Sequence, residues 1–178
     1  MRASFHATQY DGDVRRTSFE DVNCSIAQCL EVVGDWWTML VIRDVFLGVT
    51  RFDDIQERLG ISRNVLHQRL SSLVEHDVLK KVPYQQHPER FDYKLTEKGI
   101  DLWAVLTTMR QWGDRWYPAP DGPPSEVVHK TGCGERVHID TVCGTCGERV
   151  TARDLRAVPG PGGDGTTVPG RRPPASAI

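Results

Sequence analysis

Residues 60–81 read GISRNVLHQRLSSLVEHDVLKK and place Arg63, Asn64, His67 and Gln68 among Val65, Leu66, Leu70, Leu73 and Val74. The apolar set recurs at intervals of three and four, which is helical spacing, and it leaves the polar set on the opposite face. These polar side chains can read base edges. Arginine presents two donors to guanine, and asparagine or glutamine presents a donor and an acceptor to adenine. Ser62 is placed to cap this helix, and the free N–H groups of the first turn can hold a phosphate. Lys80 and Lys81 follow the helix, and Arg90 lies ten residues further on. Arg69 belongs to a backbone contact or to an internal salt bridge. A second constellation is His129, Cys133, Cys143 and Cys146, spaced H-x3-C-x9-C-x2-C. Three thiolates and an imidazole make a closed tetrahedral zinc site, structural rather than catalytic. His138 competes for the fourth position, and a ribbon that folds without metal is the other reading. A third feature is Cys24, just ahead of a predicted helix.

These side chains need elements to hold them. Ser25 with Gln28 forms a capping-box pattern, followed by Ile26, Cys29, Leu30 and Val33 on one helical face. Cys29 is expected to fill the core. "WWTMLVIRDVFLG" (36–48) is apolar nearly all round and reads as a central buried helix. Thr50 and Asp53 suggest another capped start, with Phe52, Ile55 and Leu59 inward. Gly60 allows a tight turn before the polar-faced helix. Val82 and Tyr84, then Phe91, Tyr93 and Leu95, alternate at strand spacing around the polar tip QQHPER, which predicts a hairpin. Thr96 caps a long helix running to about Trp116. The order is that of a winged helix-turn-helix: a mainly α fold with a β-hairpin wing, plus a small C-terminal β zinc-ribbon-like module.

The domain reading is a flexible arm over 1–21, a DNA-binding and dimerisation domain over 22–117, and a linker over 118–124. A zinc-ribbon-like module over 125–157 and a Pro- and Gly-rich tail over 158–178, expected to be disordered, complete it. The 178 residues carry a net charge of −2, so any nucleic-acid site must be a local patch. Five cysteines, an odd number, fit a reducing compartment. With no apolar run long enough to span a membrane and no secretory pattern at the start, the expectation is a cytoplasmic protein.

The stretch from Cys24 through "GDWWTMLVIRDVFLG", Phe52 and "ISRNVLHQRL" to Arg90 and "LTEKG" resembles the HxlR-type bacterial transcriptional regulators, relatives of the MarR type. The resemblance spans about residues 22–117. It implies a homodimer on an inverted-repeat DNA operator, with the first and last helices at the dimer interface. It also implies thiol sensing of oxidants or electrophiles at Cys24, since several members carry a sensing cysteine there. A helix N-terminus favours the thiolate, although Glu20 and Asp21 oppose it, and an inert thiol is the alternative. Where the family usually has Gly-Gly-Lys-Trp, this chain has Gly34, Asp35, Trp36 and Trp37, so a lysine contact does not carry over.

No Gly-rich phosphate loop, nucleophile elbow or paired-carboxylate motif is present, which argues against an enzyme. The main reading is a DNA-binding regulator gated by a thiol or a small-molecule effector. The alternative is a zinc-containing module whose winged helix binds a protein partner. Trp36, Trp37, Trp103 and Trp112 could line an aromatic effector pocket near the dimer axis or simply fill the core.

Overall fold

The computed structural model describes residues 18–163. The expected arm and tail therefore lie outside the described residues, apart from 18–21 and 158–163. Five helices and one antiparallel hairpin follow in order: α1 (Ser25–Val33), α2 (Trp36–Phe46), α3 (Phe52–Leu59), α4 (Arg63–Glu75), β1 (Leu79–Gln86), β2 (Glu89–Leu95) and α5 (Glu97–Trp116).

The core forms where the apolar faces of α2, α3 and α4 meet. Val41, Ile42, Ile55, Leu66, Leu70 and Leu73 are sealed there, with Val78, Leu79 and Tyr93 from the hairpin base. Each fully buried aliphatic side chain contributes about 1.5–3 kcal/mol. Asp44 is also wholly buried, on α2. Its Oδ1 accepts from Arg43 Nε and Nη2 at 2.9 and 2.8 Å, and Arg58 Nε of α3 approaches Oδ2 at 3.4 Å. The two guanidiniums supply the donors that a buried carboxylate requires and tie α2 to α3.

Turn chemistry fixes the angle between α3 and α4. Gly60 ends α3 at φ +64°, a left-handed conformation that glycine adopts without steric cost. Ser62 then caps α4, its Oγ accepting from the Val65 N–H at 3.3 Å. Thr96 caps α5 by accepting from Gly99 N–H at 3.1 Å, and its hydroxyl donates to the Asp77 carbonyl at 2.6 Å, locking α5 to the α4–β1 turn. The hairpin pairs Leu79 with Leu95 and Val82 with Asp92, and a bulge lies between Pro83 and Gln85. No described helix is long and apolar enough to cross a membrane.

Several local expectations need correction. The capping box at Ser25 does not form, because Cys24 is the N-cap and Ser25 is already helical. Gln28 instead donates backward to the carbonyls of Phe19, Glu20 and Val22. Cys29 is exposed rather than core, as are Ile26 and Leu30 on the same face of α1. The α2 helix is not apolar-buried all round: Trp36, at its first turn, is 90% exposed. Arg51, not Thr50, is the N-cap of α3; the Thr50 hydroxyl pairs with Asp92 of β2 at 2.9 Å. That pairing, together with the Tyr93 N–H donated to the Thr50 carbonyl at 2.8 Å, ties the wing to the start of α3.

Candidate nucleic-acid interface

The first turns of α4 present Ser62, Arg63, Asn64, His67 and Gln68, all exposed, while Leu66 and Leu70 of the same helix are sealed in the core. The helix is therefore anchored by one face and offers the other. The wing rises beside it with Lys80, Lys81 and Arg90 exposed. Of the residues expected to contact DNA, Arg63 and Arg90 border one shared cleft. Between α3, α4 and the wing lies a cleft of about 360 Å³ lined by Arg51, Asp53, Arg63, Tyr84 and Arg90, among others.

Arg63 is held in place there. Its Nη1 donates to Asp53 Oδ1 at 3.0 Å and to Gln56 Oε1 at 3.2 Å, and the guanidinium lies over the Phe52 ring, 4.8 Å from its centroid. One nitrogen is committed to α3, and the rest of the fork stays available. Arg51 is a further cation on this side that the sequence does not single out. It sits 4.6 Å over the Tyr84 ring and 3.8 Å from Asp92. Its only signal in the sequence is that of a basic residue just before a helix, which is too common to stand out. Arg69 resolves as an internal salt bridge: its Nη1 meets Asp35 Oδ2 at 2.9 Å, while Asp35 Oδ1 caps α2 by accepting from Trp37 N–H at 3.1 Å. Asp35 thereby ties the start of α2 to the middle of α4.

Cys24 is half-buried at the N-cap of α1, with no side-chain cap bond, beside a hollow of about 500 Å³ that Glu20, Asp21 and Gln28 also line. Neither hollow has a tryptophan in its wall, and Trp37 packs against the core.

The C-terminal segment forms two turns, each closed by an isolated bridge, Val128 to Arg136 and Val142 to Arg149. His129 Nδ1 and Cys133 Sγ are 3.9 Å apart in the first. In the second, hydrogen bonds to Cys143 from the Cys146 and Thr145 backbone N–H groups, then from the Cys146 side chain, hold its thiol down at about 7. Among the described residues, no three His, Cys, Asp or Glu side chains converge to hold a metal ion, so the four expected ligands stand as two separate pairs.

The fold and the open polar face are those of a winged helix-turn-helix, and residues 32–121 match the model of the HxlR-like helix-turn-helix family. The chain belongs to that family. It is 46% identical over 138 residues to Rv3095, an uncharacterized helix-turn-helix transcriptional regulator of Mycobacterium tuberculosis; the match covers 78% of this chain and 87% of the relative. Among solved structures, PA1607, described as a candidate transcription factor, is 38% identical at a TM-score of 0.71 and covers 80% of this chain and 99% of its own. PA1374 of Pseudomonas aeruginosa, described in the same terms, is 37% identical at a TM-score of 0.55, with coverage of 78% and 93%. The protein is a transcriptional regulator of the HxlR type, and membership of this helix-turn-helix family implies DNA binding. Its relatives, YodB of Bacillus subtilis among them, carry the names of helix-turn-helix transcriptional regulators.

Proposed function

We propose that this HxlR-type regulator acts as a homodimer on an inverted-repeat operator. In this reading α4 enters the major groove of each half-site, and the wing lies along the flanking backbone. The supporting observation is the α4 face itself. Arg63, Asn64, His67 and Gln68 stand exposed on a helix whose other face is locked into the core. Ser62 and the helix N-terminus serve a phosphate, and Lys80, Lys81 and Arg90 serve the backbone or the minor groove.

The second copy is supported by an apolar stripe that stands exposed among the described residues. Val105, Met109, Trp112 and Trp116 of α5 recur at i, i+4, i+7 and i+11, each at least 40% exposed, and Ile26 and Leu30 of α1 add a second exposed pair. A stripe of this extent marks an interaction surface. A twofold copy closed on this stripe would bring a second α4, and dimeric helix-turn-helix proteins read half-sites about 34 Å apart, one turn of B-DNA. Gating enters through Cys24: oxidation at the cap of α1 would disturb a helix that belongs to the same interface.

The test is selection of bound DNA from a random-fragment pool with wild-type protein, followed by rebinding after oxidant treatment of wild type and Cys24→Ser. Enrichment of an inverted repeat, released by oxidant in wild type alone, is the expected outcome. Enrichment that oxidant leaves unchanged would keep the regulator and remove Cys24 as its sensor. No enrichment at low salt from folded protein would overturn the operator reading and direct the search to protein partners.

A further inference from the structure

The C-terminal segment contains the same turn twice. CGERV occurs at 133–137 and again at 146–150. The backbone repeats with it. His129 N–H donates to the Glu135 carbonyl at 2.9 Å, and Cys143 N–H donates to the Glu148 carbonyl at 2.8 Å. Gly134 N–H donates to the His129 carbonyl at 3.2 Å, and Gly147 N–H to the Cys143 carbonyl at 2.8 Å. Val137 N–H reaches the Val127 carbonyl at 2.7 Å, and Val150 N–H the Thr141 carbonyl at 3.0 Å. Gly134 and Gly147 share the left-handed conformation, at φ +77° and +76°. In this correspondence His129 occupies the place of Cys143, and Cys133 the place of Cys146.

Two further observations bear on the substitution of histidine for cysteine. The first turn is one residue longer, which makes room for the longer imidazole arm. Gly132 lies against that ring: a Cβ there would fall 2.1 Å from His129 Cε1. The chain thus keeps a cradle for the His129 ring. His138, the competing donor, is 3.4 Å from Asp140, which also pairs with Arg149, so it is engaged outside either turn.

Among the described residues the segment is held to the helical domain by a few hydrogen bonds and no core: Arg110 Nη1 reaches the Ser125 carbonyl at 3.5 Å and Asn23 donates to the Gly162 carbonyl at 2.9 Å. Among the described residues from 118 to 163 none is buried, and Val128, Val142 and Leu155 are all more than half exposed. It meets α5 through Gln111, which donates to the Ile139 carbonyl at 3.1 Å and accepts from Ile139 N–H at 2.6 Å. A small module without a core folds around a staple, and zinc coupled to folding is one.

We propose that His129 with Cys133 and Cys143 with Cys146 are the two halves of one tetrahedral zinc(II) site, and that the metal draws the paired turns together. Each half supplies its two donors from a turn already shaped for them. The full set of three thiolates and one imidazole suits zinc or its cobalt(II) surrogate, not a hard oxygen-seeking cation. Binding replaces the thiol protons with metal, so protons are released and the site weakens as pH falls.

The test uses full-length protein free of any affinity tag, purified with zinc and dialysed exhaustively. Metal content is measured by mass spectrometry, and cobalt(II) is then titrated into chelator-stripped protein and followed by its absorption. One zinc per chain and the visible bands of tetrahedral cobalt thiolate are expected in wild type and in His138→Ala. Both should be lost in Cys143→Ser and Cys133→Ser, and both should be weakened in His129→Ala and Gly132→Ala. Circular dichroism of the helical domain, unchanged across the set, separates metal loss from unfolding; a variant that fails this control is replaced by limited proteolysis of wild type with and without chelator, where cleavage within 118–163 should appear only on chelation. Wild type without zinc, retention in Cys143→Ser, or loss in His138→Ala with retention in His129→Ala would each overturn the assignment.

Discussion

The ion pair between Asp35 and Arg69 joins the start of α2 to the middle of α4, and its removal should be costly in one direction and mild in the other. Asp35 does two things: Oδ1 caps α2 at Trp37 N–H, and Oδ2 takes Arg69 Nη1 at 2.9 Å. The side chains are 29% and 19% exposed, so the pair lies between a surface bridge, worth about 0–1 kcal/mol, and a buried one, whose one-sided loss costs about 3–5 kcal/mol. Arg69 Nε is buried with no hydrogen-bond partner among the described residues, so the guanidinium has little else to turn to. About 2 kcal/mol for the stranded cation and about 1 kcal/mol for the cap give about 3 kcal/mol for Asp35→Ala. Asp35→Asn retains an acceptor for Trp37 and should cost about 2 kcal/mol. Arg69→Met leaves a carboxylate that still caps α2 and reaches water, so about 1 kcal/mol is expected. Urea unfolding followed by tryptophan fluorescence measures all three, with about 2 kcal/mol lowering the midpoint by roughly 1 M. The double variant Asp35→Asn with Arg69→Met should recover most of the single-variant loss. Additive losses, or an Asp35→Asn variant within about 0.5 kcal/mol of wild type, would refute the reasoning.

Arg63→Ala should lower selectivity for the selected operator by about 1–2 kcal/mol, roughly 5- to 30-fold, while non-specific binding changes little. The Asp53 pair, both ends about two-thirds exposed, is worth under about 1 kcal/mol and does not prevent Arg63 from turning to a base, so Asp53→Ala should stay within a few-fold in the same competition assay. Gly99→Ala would place a Cβ 2.2 Å from the Val78 carbonyl oxygen and press on Leu95, forcing β1 away from α5. A loss of about 2–3 kcal/mol by denaturant titration is expected, more than the gain of about 1 kcal/mol in helix propensity can offset. Trp112→Glu, on the exposed α5 stripe, should convert the proposed dimer to monomer in sedimentation equilibrium and abolish operator binding at nanomolar protein; a variant as dimeric as wild type would move the interface elsewhere.

Chain-local features are legible in the amino-acid sequence alone. The spacing of Leu66, Leu70 and Leu73 fixes which face of α4 is inward, and so fixes the outward place of Arg63, Asn64, His67 and Gln68. Ser62, Gly60 and Thr96 announce their caps and turn because capping and left-handed φ are properties of a few consecutive residues. The alternation in 82–95 marks the hairpin for the same reason. The capping box at Ser25 fails because its pattern is short, and a one-residue shift of the helix start dissolves it.

Tertiary structure alone decides the partners that lie far apart in sequence. Nothing local says that Asp35 meets Arg69, that Asp53 and Gln56 hold Arg63, that Thr50 binds the wing at Asp92, or that Gln111 grips Ile139. Nor can periodicity separate an apolar face that enters the chain's own core, as on α4, from one that does not, as on α1 and the outer side of α5. Both faces obey the same helical spacing, because burial depends on what other segments bring to the surface, and that is settled only when the whole chain has packed.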